Sequence, residues 1–222
     1  MSARFAPGSK TRLTRRDLDR FPGRSLFDRV ARAVCQAGCL PRKELYEAWE
    51  VARRTRRWFR GGRIVDLGAG HGLLAHLMLI LDDTSPTAVA VDPSLPPSAA
   101  RLHDVLAETW PRLSGRVSFV SGGPDDVAIG AGDIVVSCHA CGALTDRVLA
   151  GASQARARVV VLPCCHDRAT CDTGGLDNWL DLSLAIDVVR VTRLHAQGYQ
   201  VRTQVIPAAI TPKNRLILGR PR

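Results

Sequence analysis

The stretch Arg63-Ile64-Val65-Asp66-Leu67-Gly68-Ala69-Gly70-His71-Gly72-Leu73-Leu74 decides the fold. Ile64 and Val65 form a short β-branched run that ends in an acid. Three alternating glycines follow, and an apolar run over 73–81 then has helical length. Strand, tight turn and helix N-terminus in this order turn backbone N–H groups and a helix dipole toward a ligand. Glycine suits the turn because a Cβ would block positive φ angles and close approach. The dinucleotide fingerprint wants a glycine three positions after Gly70, where this chain has Leu73. A phosphate-binding P-loop wants Gly-Lys-Ser/Thr, which is absent.

Working outward, the chain after residue 63 alternates strands and helices. Strands are expected at 64–67, 88–91, 116–121, 133–137 and 158–162, with helices at 73–81, 99–110, 145–152 and 178–197. Two last strands, 200–206 and 215–218, flank Pro207 and Pro212. Most of the earlier strands are continuous apolar runs, the mark of a parallel sheet covered on both faces. Before residue 63 the text is helical. Ser25 caps a helix to about residue 37, ended by Gly38, and a second runs from about Pro41 to Phe59. Residues 1–24, rich in arginine with few apolar side chains, are expected to be mobile or loosely laid on the surface. The division is thus a basic arm with helices over 1–60 and a single α/β domain over 61–222, with no internal repeat.

The 222 residues are 45% hydrophobic and contain no apolar run of the ~18 residues a membrane span needs. The arginine-rich N-terminus has no apolar core, which argues against a secretory signal. An odd count of seven cysteines argues for reduced thiols and a cytoplasmic protein rather than a disulfide framework. The charge is unevenly placed. Residues 1–60 carry 16 basic and 6 acidic side chains, whereas the rest carry 15 of each. The whole formal charge of +10 therefore sits before the glycine turn, which favours a polyanionic partner such as RNA. Arg53, Arg54, Arg56, Arg57 and Arg60 crowd one helix end, where the helix dipole also favours cations. Arginine outnumbers lysine 28 to 3, so a coding bias toward arginine explains part of the excess. Trp58 and Phe59, among these arginines, suit a core position better than base stacking.

In an open α/β sheet a ligand lies across the carboxyl ends of the strands. Asp66 and Gly68, Gly70 and His71 stand at the first such end. Asp92 stands at the second, where a carboxylate can accept both hydroxyls of a ribose, or simply cap the next helix. Ser137 ends the fourth strand, followed by Cys138-His139-Ala140-Cys141-Gly142, and Cys164-Cys165-His166 follow the fifth. These two ends are neighbours, so their cysteines and histidines should converge at the mouth of the site. Three readings compete there. Some of the cysteines simply pack as small apolar residues. Alternatively they bind zinc, though Cys138-x-x-Cys141 has no second C-x-x-C to pair with. In the third, His139, Cys164, Cys165 and His166 are catalytic, as base, orienter or nucleophile. The third reading is adopted, with no metal.

The pattern Asp66-x-Gly68-x-Gly70-x-Gly72 resembles motif I of class I methyltransferases that use S-adenosylmethionine (SAM). His139-Ala-Cys-Gly-Ala-Leu-Thr-Asp146, Cys164-Cys-His166 and Ile210-Thr-Pro-Lys-Asn-Arg-Leu-Ile217 resemble one branch of that class. The branch includes the eukaryotic tRNA acceptor-stem ribose 2′-O-methyltransferases and uncharacterised bacterial relatives, and the likeness spans about residues 40–219. It implies a Rossmann-like, mostly parallel seven-stranded sheet with an antiparallel excursion of the last two strands. It also implies SAM binding by Asp66, Gly68, Gly70 and Asp92, with His139, Cys164, Cys165 and His166 at the active-site mouth; His71 and Ser137, at the same strand ends, are expected to join the cofactor set. The chain departs from the tRNA enzymes in lacking their N-terminal zinc-binding segments, in Asp167 where they have a second histidine, and in His71 where relatives often have lysine. The Asn/Asp/Ser-Pro-Pro-Tyr motif of amino-group DNA methylases is absent after the fourth strand. The expected activity is SAM-dependent methylation of RNA, on a ribose 2′-oxygen or a base. The alternatives are a small-molecule or protein acceptor, and a non-enzymatic RNA- or metal-binding module on the same scaffold.

Overall fold

A computed structural model describes residues 5–222; residues 1–4 of the expected mobile arm lie outside it. Seven strands form one sheet in the order β3-β2-β1-β4-β5-β7-β6. They are β1 (Ile64–Leu67), β2 (Ala88–Asp92), β3 (Val117–Ser121), β4 (Ile134–Ser137), β5 (Arg158–Val161), β6 (Tyr199–Val205) and β7 (Arg215–Pro221). The first five are parallel in register, with Asp66 level with Ala90 on one side and Val136 on the other. β7 is inserted antiparallel between β5 and β6. It alone runs against the sheet, so the antiparallel excursion is one strand wide. β1, β4 and β5 are almost wholly buried, as continuous apolar runs require.

The helices are α1 (Leu26–Ala37), α2 (Arg42–Trp58), α3 (Leu73–Leu81), α4 (Ser98–Thr109), α5 (Ala143–Gln154) and α6 (Leu182–Ala196). Ser25 accepts the Asp28 N–H at the start of α1, and Gly38 ends it with φ 62°. α6 starts four residues later than the sequence suggests, because Asp181 caps it by accepting from the Ser183 and Leu184 amides. Among the described residues no helix is long and apolar enough to cross a membrane.

The expectation of a loose N-terminal segment is not met by residues 5–24. Leu13 is fully buried and Phe21 is 3% exposed. The Leu13 amide donates to the Leu40 carbonyl, and the Arg42 and Lys43 amides donate to Thr11 and Ser9, so the segment is pinned across the start of α2. A 3₁₀ turn over Arg15–Arg20 is capped reciprocally by Thr14 and Asp17. Phe5, Phe21 and Phe27 meet edge to face, and Arg32 donates to the Phe21 and Gly23 carbonyls. A few well-spaced apolar anchors, not average hydrophobicity, settle the matter. One core cluster accordingly runs from Leu13 through α1, α2 and α3 to Leu218 of β7.

If this packing holds the segment, Leu13→Ala should lower unfolding free energy by roughly 2–4 kcal/mol, the usual range for a buried leucine. Urea titration followed by circular dichroism checks this; an unchanged midpoint would mean a free arm.

Candidate active site

The carboxyl ends of β1, β2 and β4 enclose a cavity of about 250 Å³. Its floor is the glycine turn. The Gly68 and Ala69 amides donate to the Val91 carbonyl at 2.9 and 3.1 Å, which binds the turn to β2. Gly70 has φ 53°, and a Cβ placed on it would meet no protein atom within 4 Å, so its open side faces the cavity. At Gly72 (φ 73°) a Cβ would instead fall 2.9 Å from the Phe119 ring. Both positions require glycine, the first to leave room for a ligand and the second to let helix and sheet close together.

Asp66 and Asp92 line this cavity in different ways. Asp66 is 1% exposed, and its carboxylate accepts the Ala75 amide of α3 at 3.1 Å. Burial pushes its pKa up to about 7, against the lowering effect of that hydrogen bond. Asp92 is only partly buried. One of its oxygens accepts the Gly70 amide at 2.9 Å and the other the Ser94 amide at 2.9 Å. Each oxygen keeps a lone pair for a further donor. His71 also lines the cavity, its Nε2 2.9 Å from the Ser98 hydroxyl. Burial, then the nearby Arg12 and Arg101 charges, lower its pKa.

Ser137 has a different place from the other expected cofactor residues. It is 1% exposed, donates to the Leu67 carbonyl at 2.6 Å and accepts the Ala140 amide. It locks the β4 turn to β1 and does not line the cavity. His139 does line it, facing a residue the sequence reading missed. Glu44, in the first turn of α2, also lines the cavity with Leu40 and Ala48. Burial raises the Glu44 pKa, and the His139 charge opposes that shift. The clue in the sequence was the acids at 44, 47 and 50, which share a helix face with the apolar residues.

The remaining motif residues divide into two groups. Cys141, Cys164 and Cys165 bring their sulfurs together at 3.2 to 3.7 Å. Burial raises the pKa of Cys164 strongly and that of Cys141 less, which keeps both as thiols at neutral pH and disfavours them as nucleophiles. His166 is turned away into a buried charge network. Its side chain is 2% exposed and its Nε2 lies 2.8 Å from Asp187. Arg190 joins Asp187 (3.3 Å) to Asp146 (2.8 Å) and donates to the Gly142 carbonyl, and Arg215 reaches Asp187 at 2.7 Å. Asp187 and Arg190 were missed; as polar residues three apart on the buried face of α6, they interrupt its apolar pattern.

The five arginines at the end of α2 lie far from this cavity. α2 leads into β1, so they sit at the amino edge of the sheet, from about 14 Å (Arg53) to about 20 Å (Arg57) along the helix from Glu44, with Arg60 just beyond it. Arg53 and Arg54 pair with Glu50 at 2.9 and 3.0 Å, and Arg54 also donates to Gln204. Arg57 and Arg60 are exposed. Trp58 stacks on the buried Phe59 and lies beneath Arg202 and Arg220.

A family profile described as a methyltransferase domain matches residues 44–171. No curated protein matches the chain. Solved structures share its fold. An O-methyltransferase family protein from Burkholderia thailandensis superposes with TM-score 0.53 at 17% identity, over 96% of this chain and 65% of that one. An O-methyltransferase of Nostoc punctiforme gives 0.51 at 14% identity, over 87% and 60%. A ribosomal protein L11 methylase from Lactobacillus delbrueckii subsp. bulgaricus gives 0.50 at 13% identity, over 79% and 77%. The chain thus spans about two thirds of the length of the first of these.

The Asp66 shift makes a pH prediction. A carboxyl whose folded pKa stands near 7, against an ordinary 3.8, binds its proton more tightly when folded. Its contribution to stability is therefore complete below about pH 4 and is lost as pH rises through 7. Asp66→Asn should flatten the fall in stability between pH 4 and 7, measured by thermal unfolding across that range. An identical slope in both proteins would count against the shift.

Proposed function

The chain belongs to the methyltransferase-domain family, and on that premise we propose that it is a SAM-dependent enzyme that methylates RNA. The observation that carries the cofactor assignment is the cradle of Gly70 and Asp92. An open-sided glycine at positive φ adjoins a carboxylate fixed by two backbone amides, with acceptor capacity left for ribose hydroxyls. Asp92 would hold the ribose, and the turn over 68–70 would accommodate the amino-acid portion. When bound, SAM supplies an electrophilic methyl group on its sulfonium.

The chain's own work is to orient the acceptor and manage its proton. His139 lines the cavity and is the residue we assign as general base, taking the proton from an acceptor hydroxyl as the oxygen gains its methyl group. The Glu44 carboxylate lines the same cavity and would supply negative charge beside the proton-bearing ring. A hydroxyl acceptor, such as a ribose 2′-oxygen of RNA, suits a single imidazole base. His166, held on Asp187, is assigned to positioning the loop after β5.

Two sets of charges support RNA as the substrate. Arg12 and Arg101 are exposed and stand close enough to depress the His71 pKa, which puts positive charge at the rim of the cavity. Arg57 and Arg60 add charge at the other edge. Phosphate contacts of this kind hold a strand without reading its bases.

Calorimetry tests the cofactor. The wild type should bind SAM and its demethylated product, and Asp92→Ala should weaken both by about 1.5–3 kcal/mol, the loss expected for charge-assisted hydrogen bonds. Unchanged affinity would remove Asp92 from the site. The acceptor is tested with radiolabelled SAM, bulk RNA and nucleoside mass spectrometry. His139→Ala should abolish label transfer while leaving SAM affinity within about twofold. Transfer to a small-molecule pool but not to RNA would replace the substrate class. SAM binding without turnover on either would leave a binding module.

A further inference from the structure

The three thiols at the mouth of the β4 and β5 loops are not used by the reaction above. Cys141 follows β4, whereas Cys164 and Cys165 follow β5, so two separate loops supply the cluster. The Cys141 sulfur lies 3.2 Å from each of the other two, which are 3.7 Å apart. We propose that Cys141, Cys164 and Cys165 bind one zinc ion that clamps these two loops together.

The geometry and the chemistry agree. With Zn–S bonds of about 2.3 Å, a tetrahedral site places its sulfurs about 3.8 Å apart. The observed triangle needs only a slight expansion to accept the ion. Two thiols would suffice for a disulfide; a third in contact with both has a purpose in a metal site. Three soft thiolates select Zn²⁺ over harder divalent ions. Binding replaces the three S–H bonds with Zn–S bonds and releases the protons to solvent.

Among the described residues no further His, Cys, Asp or Glu brings a ligand atom into the same group. The fourth position therefore belongs to water, and the exposure of Cys141 and Cys165 leaves it open to solvent. The loop carrying Cys141 also carries Cys138 and His139, which line the cofactor cavity. Zinc on Cys141 would fix the far end of that loop. This site does not depend on the identity of the methyl acceptor.

The test uses the full chain, grown with added zinc and purified with reductant but without chelator. Elemental mass spectrometry should find about one zinc per chain. The stripped protein titrated with Co²⁺ should develop thiolate-to-cobalt charge-transfer absorption and the visible bands of a tetrahedral centre. Cys165→Ser, at an exposed position, should lower zinc affinity at least about tenfold against a chromophoric chelator. Cys141→Ser serves the same purpose should Cys165→Ser fail to fold, and Cys39→Ser, outside the cluster, should keep the metal. Calorimetry with SAM on each variant separates loss of metal from loss of fold. Less than about a tenth of an equivalent of zinc together with no charge-transfer band would overturn the proposal. So would wild-type zinc affinity in both cluster variants, or a Cys141–Cys164 disulfide that persists through purification with reductant.

Discussion

Everything near the cavity depends on how the chain leaves β1. That strand is paired on both sides, with β2 and β4, and cannot shift without breaking two ladders. Asp66, at its end, accepts the Ala75 amide and so fixes the first turn of α3 directly behind the strand. Gly72 then packs against Phe119 of β3 and Ala90 of β2 with no room for a side chain. Strand, turn and helix are therefore locked as one unit. The cost of a buried carboxyl is reduced because burial shifts Asp66 toward its neutral form. What remains open is the face of Gly70 and the outer lone pairs of Asp92, and these are the groups a ligand can use.

The second half of the site is organised by charge. Arg190 is 1% exposed and would be strongly destabilising alone, but Asp146 and Asp187 flank it, and Arg215 shares Asp187. Burial alone would raise the Asp187 carboxyl; hydrogen bonds from His166 and Arg215 outweigh it and hold the pKa below the ordinary range. This network explains why three distant sequence motifs occur together. Asp146 belongs to the first, His166 to the second and Arg215 to the third, and Asp187 and Arg190 of α6 connect them. Their shared task is to set the loops after β4 and β5. Removing one partner would leave a buried charge uncompensated, typically about 3–5 kcal/mol. The network supports the loops at the mouth of the site and holds His166, expected from the sequence at that mouth, on Asp187.

The sheet, its parallel order and the glycine turn were legible because each has a local signature. Continuous β-branched runs mark buried strands, and alternating glycines after an acid mark the turn. Ser137 stands off the cavity lining because position at a strand end does not say which way a small side chain turns; its hydroxyl found the Leu67 carbonyl. Glu44 escaped notice because it stands well before the glycine turn in sequence, and only tertiary packing brings the first turn of α2 over the cavity. The N-terminal segment was misread for a related reason. Its composition is that of a free arm, yet Leu13 and Phe21 suffice to anchor it once α1 and α2 offer a groove. Long-range closure of this kind leaves no periodic trace in sequence.

That anchoring changes what the basic segment can do. A free arm could deliver its arginines anywhere, but a pinned one fixes them. Residues 9–13 run antiparallel to the start of α2, which holds Arg12 near the cavity rim, whereas Arg57 and Arg60 are held at the opposite edge of the sheet. Glu50 neutralises much of Arg53 and Arg54 between them. The positive charge is therefore split into two patches about 20 Å apart along α2. A mononucleotide could engage only one of them. On the proposed RNA acceptor, a strand of several nucleotides would bridge both, the patch near the rim placing the nucleotide at the cavity and the distant patch adding affinity without positional demand. Because α2 carries Glu44 at one end and these arginines at the other, a strand held along it would be aligned with the cavity by the same rigid helix that closes it.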